Sequence, residues 1–125
     1  MSTLTYSQTS GEMHTPEGEL VAKGWAGRGE GKNSTVHESV RSTGPLPRGL
    51  YKLGAWEDYH KGLGPMVVYL HQVEGETFGR DGFFIHGASM DTTLYGQESK
   101  GCIVIPRAGR EKVKALDPSH IRVVE

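Results

Sequence analysis

The sequence predicts a mainly β fold with one helix in the C-terminal half of the chain. Glycine is the first indication, because 18 of the 125 residues are glycine, about twice the average usage of roughly 7%. Frequent glycines without a regular period are typical of turns and bulges. The second indication is a series of short apolar and β-branched runs between turn signals. The third is that only one segment carries a clear helical pattern.

The predicted strands follow one another along the chain with turns between them. "TLTYSQTSGEM" alternates like a strand entering a turn, and a second strand is predicted at residues 20–25. A proline turn at 45–47 leads into a strand at 50–53. The nearly continuous apolar run at 66–73 is typical of a central strand. "FFIH", "CIVIP" and "IRVVE" are three further short strands, so we expect a mainly antiparallel sheet.

The single predicted helix lies in "PRAGREKVKALDP". Pro106 stands near its first turn, where proline is tolerated, and Pro118 stops it.

The length and charge of the chain limit its class and partners. We predict one domain over residues 1–125. The 14 basic and 15 acidic residues leave a net charge of -1 and form no long run of one sign, so a nucleic-acid partner is not expected. No apolar stretch approaches the roughly 18 residues that span a bilayer, so no membrane partner is expected. The N-terminus has neither the basic nor the apolar region of a secretory signal, so we expect synthesis in the cytoplasm.

Cys102 is the only cysteine of the chain, so it has no internal disulfide partner. One interpretation is that it is a small buried hydrophobe in the strand "CIVIP". The other is that it is a nucleophile at a junction between a loop and a strand. Gly101 would let a substrate carbonyl approach the backbone, and positive charge on Lys100 would lower the pKa of the thiol.

His86 is the histidine best placed to act with this thiol. It ends the strand "FFIH" and precedes Gly87, which we expect to open one side of a cleft. Two antiparallel strand ends joined by a loop of this length could bring an imidazole to a thiol. A zinc site is the competing chemistry, but the sequence lacks C-x-x-C and H-x-x-x-H spacings. We therefore predict no metal and no cofactor.

The arrangement of these residues resembles a known family. The histidine of "IHG" and the cysteine of "SKGCI", with fifteen residues between them, resemble the signature of L,D-transpeptidase (YkuD-like) catalytic domains. "LTYSQTSGEM", "GWAGRGEGKN" and "GPLPRGLYKLG", in this order, resemble the compact branch of type VI secretion L,D-transpeptidase effectors. Papain-like and NlpC-type peptidases place the cysteine before the histidine, so the order in this chain argues against them.

The resemblance implies a β-sandwich or partly open barrel and an L,D-transpeptidase or L,D-carboxypeptidase that modifies peptidoglycan. Cys102 would be the nucleophile and His86 the base, with Ser99 orienting the imidazole. Backbone N–H groups of Gly101 and Cys102 would stabilise the oxyanion.

The resemblance also implies a substrate site. Residues expected to contact the substrate, including its carboxylates, are Lys100, Arg107 and Gly87. Most family members have histidine where this chain has Lys100, and a polar residue where it has Val104, which puts the carboxylate contacts in question.

The resemblance further implies partners and a location. The substrates would be peptidoglycan stem peptides, and water, a diaminopimelate amine or a free D-amino acid would resolve the acyl-enzyme. An antibacterial effector would be delivered to the periplasm of a target cell, with an immunity protein and a component of the secretion apparatus as partners. A phage lysis enzyme is a second possible role. The alternative function is a non-catalytic β module that binds cell wall or a phage or secretion structure.

Overall fold

The computed structural model describes residues 3–88 and 99–125. The strands found there are β1 (Thr3–Ser7), β2 (Glu12–His14), β3 (Leu20–Lys23), β4 (Trp25–Ala26), β5 (Gly49–His60), β6 (Gly64–Glu74), β7 (Phe83–His86), β8 (Ile103–Val104) and β9 (His120–Val124). One α-helix, α1 (Arg107–Leu116), and two short 3-10 helices, Gly29–Gly31 and Thr35–His37, accompany them in the described ranges. None of the helices in those ranges has the length and apolar character needed to cross a bilayer.

The strands form one mixed sheet with the order β3-β2-β1-β9-β5-β6-β7-β8-β4. Its two edge strands, β3 and β4, are separated in sequence by Gly24 alone. The sheet must therefore curl until its edges almost meet, which confirms the predicted partly open barrel. The prediction of a single strand at 20–25 is wrong in one respect. It is divided at Gly24, because β3 pairs with β2 whereas β4 pairs with β8.

The hairpin of β5 and β6 is the longest part of the sheet. The strand predicted at 50–53 extends to His60, because β6 continues to offer an antiparallel partner beyond an irregularity between Leu53 and Trp56. The apolar run predicted at 66–73 is confirmed as a central strand, since β6 lies between β5 and β7. Its residues Val68 and Leu70 belong to the hydrophobic core, and Val67, which is also buried, projects from the opposite face.

The helix is confirmed at the predicted place. Pro106 is its N-cap residue, and Asp117 ends it in the left-handed conformation, where its N–H donates to the carbonyls of Val113 and Lys114. Val113 is fully buried, and α1 packs on β3 and β6. The helix therefore begins at Arg107, shortly after β8 ends at Val104, and its first turn lies beyond the end of β7.

β7 and β8 pair in parallel, which corrects the expectation of two antiparallel strand ends. Ile85 lies beside Ile103, and His86 lies beside Val104. Parallel neighbours require a long connection between them, and the chain makes that connection through residues 87–102. The consequence is that His86 stands at the end of β7 while Cys102 stands at the beginning of β8.

Candidate active site

The parallel pairing places Cys102 beside Phe84. The N–H of Phe84 donates to the Cys102 Sγ at 3.3 Å. His86 is two residues further along β7, and alternate residues of a strand project from the same face at a separation of roughly 6–7 Å. The register thus puts Cys102 beside Phe84, two residues before His86 along β7.

The thiol is buried in this structure. Cys102 is 9% exposed, and its Sγ donates to the carbonyl of Gly82 at 3.7 Å. Burial raises the pKa of Cys102 to about 11, while the N–H groups of Phe84 and of Cys102 itself, and the charge of Arg80, lower it by smaller amounts. Burial therefore favours the protonated thiol over the thiolate.

His86 is buried, and its Nδ1 lies 2.9 Å from the carbonyl oxygen of Gly87. A carbonyl only accepts hydrogen bonds, so Nδ1 carries the proton and the lone pair is on Nε2. This is the tautomer that a general base acting through Nε2 requires. The described partner of Nδ1 is the carbonyl of Gly87, whereas the resemblance implied Ser99 as the residue that orients the imidazole.

The hydroxyl of Ser99 organises the loop before the cysteine. Its Oγ accepts from the N–H of Gly27 at 2.9 Å and from the N–H of Gly101 at 3.0 Å, and donates to the carbonyl of Cys102 at 2.5 Å. The N–H of Gly101 is therefore engaged within the loop and is not directed at a substrate, contrary to the expectation of an oxyanion donor. The N–H of Cys102 lowers the pKa of its own thiol.

Arg80 is a residue of the site that sequence reasoning missed. It is 5% exposed, and its Nη1 donates to the carbonyls of Pro45, at 2.8 Å, and of Glu38. Its Nη2 donates to the carbonyls of Gly44, at 2.8 Å, and of Lys100, at 3.2 Å. One guanidinium thus ties the segment 38–45 to the loop that carries the nucleophile.

Arg80 also acts on the electrostatics of the thiol. Its charge lowers the pKa of Cys102, the effect that the sequence analysis assigned to Lys100. The residue Lys100 is exposed, and its described contact in the site is the carbonyl that accepts from Arg80. Nothing in the local pattern around Arg80 distinguishes it from a surface arginine, because its burial depends on two distant loops.

Gly101 fits tightly against this arginine. Its φ is +130°, and a Cβ built there would lie 2.6 Å from the Arg80 Nη2 and 3.0 Å from the Phe83 ring. Residues with a side chain rarely adopt this backbone conformation. Glycine at 101 is therefore required by the packing of the loop as well as by access to the sulfur.

Two cavities flank the segment 86–88. One, of about 530 Å³, is lined in part by His86, Gly87, Arg107 and Arg110. The other, of about 220 Å³, is lined by Trp25, Val104 and neighbouring residues. A further cavity of about 550 Å³, bordered by Arg48 and the C-terminal residues, lies apart from Cys102 and His86. Arg107 and Gly87 thus border the same cavity as His86, whereas Lys100 does not.

No group of three or more His, Cys, Asp or Glu residues that could hold a metal ion occurs within 3–88 and 99–125. The described hydrogen bonds of the Cys102 Sγ and the His86 Nδ1 are with backbone groups of Gly82, Phe84 and Gly87.

Solved structures show which class of protein has this fold. An L,D-transpeptidase from Mycobacterium smegmatis is 16% identical with a TM-score of 0.58, covering 99% of this chain and 58% of that chain. L,D-transpeptidase 3 from Mycobacterium tuberculosis, in complex with a faropenem-derived adduct, is 16% identical with a TM-score of 0.59, covering 99% and 60%. The Ldtfm-avibactam carbamoyl enzyme is 12% identical with a TM-score of 0.58, covering 99% and 49%.

The fold is therefore that of L,D-transpeptidase catalytic domains, as predicted. This chain spans between 49% and 60% of the length of those three structures. The Tlde1 domain family matches residues 21–123, and the chain belongs to that family. No curated protein matches it significantly.

Proposed function

We propose that this chain is a peptidoglycan-modifying cysteine enzyme that acts at the L-centre of meso-diaminopimelate in stem tetrapeptides. The observation that carries the proposal is the parallel pairing of β7 and β8, in whose register Cys102 lies beside Phe84, two residues before His86. Membership of the Tlde1 domain family and the L,D-transpeptidase fold support it.

The proposed reaction begins when the thiol leaves the Gly82 carbonyl and gives its proton to the Nε2 of His86. The resulting thiolate attacks the diaminopimelate carbonyl. The bond to D-alanine breaks as the proton passes from the imidazolium to the leaving amine, and a thioester remains on Cys102. Water then gives a carboxypeptidase, a second diaminopimelate amine gives a cross-link, and a free D-amino acid gives exchange.

The buried thiol sets a condition on this mechanism. Forming a thiolate at neutral pH from a thiol with a pKa of about 11 costs roughly 5 kcal/mol, at 1.36 kcal/mol per pK unit. Substrate binding must therefore change the surroundings of the sulfur. Displacing the Gly82 carbonyl and bringing the sulfur to the imidazole is the change that the geometry favours, because an ion pair with His86 stabilises the thiolate.

The test is release of D-alanine from purified stem tetrapeptides, followed by mass spectrometry. We expect release or dimer formation with the wild type and none with Cys102→Ser or His86→Gln. The matched control is His71→Gln, which removes an exposed imidazole from β6 and should leave turnover intact. Unchanged tetrapeptide with the folded wild type, or full turnover in Cys102→Ser, would overturn the proposal.

Delivery as an antibacterial effector is a further part of the proposal, suggested by family membership. Its substrate would lie in the periplasm of a target cell, and an immunity protein would protect the producer. We expect periplasmic expression in a bacterium to be toxic and cytoplasmic expression to be harmless. Toxicity that persists in Cys102→Ser would contradict an enzymatic effector.

The burial of Cys102 favours a second function, a non-catalytic module that binds cell wall. In that case purified sacculi would retain the wild type and Cys102→Ser equally, and muropeptide masses would not change. Any Cys102-dependent loss of D-alanine contradicts this second function.

A further inference from the structure

A cavity of about 530 Å³ beside His86 carries two arginines. One wall is the tip of the β5–β6 hairpin, where Tyr59 and Leu63 border it, and the opposite wall is His86 with its neighbour Gly87. Arg107 and Arg110, from the first turn of α1, complete the lining. The imidazole and the N-terminal turn of α1, which carries the positive end of the helix dipole, therefore border the same cavity.

Arg110 is buried without full use of its hydrogen-bonding groups. It is 5% exposed, and its Nη1 donates to the carbonyl of Ile105 at 3.2 Å. Its Nε is buried and has no hydrogen-bond partner in the described structure. A Cβ at position 87 would lie 1.8 Å from the Arg110 Nη1. The absence of a side chain at Gly87 is thus what lets the guanidinium lie against the residue that follows His86.

Among the described residues, the carboxylate that acts on the charge of Arg110 is that of Glu111. The described residues that line it include no carboxylate. Arg107 has a contact of 3.5 Å with Glu111, but both of those side chains are more than half exposed. Burial lowers the pKa of Arg110 and the nearby charge of Arg107 lowers it further, while the charge of Glu111 acts in the opposite direction. A bound anion would offset the desolvation of Arg110 and its repulsion from Arg107.

We propose that this cavity binds the α-carboxylate of the D-amino acid that leaves the scissile bond, and that Arg110, assisted by Arg107, selects stem peptides with a free C-terminus. The inference rests on the proposed function. In that reaction His86 gives a proton to the leaving amine, and in an amino acid one carbon separates the amine from the carboxylate. A residue whose amine reaches His86 must therefore place its carboxylate within a few bond lengths of the imidazole, where the arginines lie.

This placement explains which substrates would be favoured. A terminal D-alanine presents a carboxylate to the arginines, whereas a D-alanine followed by another residue presents a neutral amide. The same cavity would hold the carboxylate of a free D-amino acid whose amine attacks the thioester. In that step the C–N bond forms, the C–S bond breaks and the amine proton passes through His86 to the departing sulfur.

The test compares two substrates on the unaltered protein: a stem tetrapeptide ending in D-alanine and the same peptide ending in D-alaninamide. We expect kcat/KM to be roughly 10- to 100-fold higher for the acid, the range that hydrogen bonds to charged groups give. Arg110→Met should remove most of this preference by lowering the rate on the acid, with little change on the amide. Arg110→Lys should retain part of the preference.

The matched control is Lys114→Met, which removes an exposed cation from the far end of α1 and should leave the preference unchanged. Equal rates on acid and amide with the wild type would overturn the carboxylate cavity and leave the proposed function intact. No turnover of either peptide would overturn the proposed function and this inference with it. Because the first comparison needs no mutation, the inference stays testable if Arg110→Met fails to fold.

Discussion

The ionisation of Cys102 gives the most quantitative prediction. Burial raises the pKa of its thiol to about 11 from an ordinary value of 9.0, and a shift of this size corresponds to roughly 3 kcal/mol of preference for the protonated form. The experiment varies the pH of the protein in the absence of substrate. It tests whether the sulfur lies against the Gly82 carbonyl or is already paired with an imidazolium.

The magnitude follows from the fraction of thiolate. At about pH 8, roughly one thiol in a thousand would be ionised in the folded protein, compared with about one in ten for an ordinary thiol. Because only the thiolate is alkylated, we expect labelling about 100-fold slower than that of an exposed cysteine, rising about tenfold per pH unit toward pH 11. The raised pKa also stabilises the fold below about pH 9, and this contribution is lost as the pH rises toward 11.

The assay is the rate of iodoacetamide addition, followed by intact mass from neutral to alkaline pH. The chain has one cysteine, so every adduct reports on Cys102. A peptide with the sequence "SKGCIVI" provides the ordinary thiol for comparison. A titration midpoint near or below pH 7, with rapid labelling of the folded protein, would refute the reasoning and indicate a preformed thiolate–imidazolium pair.

Three further predictions concern the surroundings of the site and the end of the helix. Gly101→Ala retains the backbone N–H but is expected to cost about 1–3 kcal/mol of stability through backbone strain and to displace Arg80. A lower Tm and a lower turnover should therefore appear together. An unchanged Tm and turnover would contradict the tight packing at Gly101. Arg80→Met should lower the Tm, because each buried carbonyl left unpaired costs about 1–3 kcal/mol. It should also raise the pH midpoint of Cys102 alkylation, and Arg80→Lys should restore that midpoint in part. An unaltered midpoint in Arg80→Met would exclude the electrostatic role of Arg80. Asp117→Gly should raise the free energy of unfolding by roughly 0.5–1 kcal/mol, because glycine adopts the left-handed conformation without strain. Denaturant unfolding measures this change, and a loss of stability would contradict the prediction.

The parts of the fold that local patterns determine were predicted from the sequence. An almost continuous apolar run indicates the central strand β6. The helix α1 is bounded by Pro106 and Pro118, whose backbone constraints act wherever they occur. The resemblance to L,D-transpeptidase domains came from the order of His86, Gly101 and Cys102, and the fold agrees with it.

The parts that depend on distant contacts were not predicted. The parallel pairing of β7 and β8 is a choice between two directions that the residues of either strand satisfy equally well. Arg80 is buried only because the carbonyls of residues 38–45 and of Lys100 converge on it. Ser99 was expected to orient the imidazole through its carbonyl or its hydroxyl. The described partners of the hydroxyl are loop groups, among them Gly27, which is distant in the sequence.

The central claim is that Cys102, activated by His86, forms an acyl bond with a substrate carbonyl. Reaction with a carbapenem tests this most directly, because the open β-lactam should acylate the same sulfur and remain attached. Intact mass and peptide mapping should show one carbapenem on Cys102 in the wild type, and no adduct in Cys102→Ser. A folded protein that keeps its unmodified mass, or an adduct on any other residue, would contradict the account.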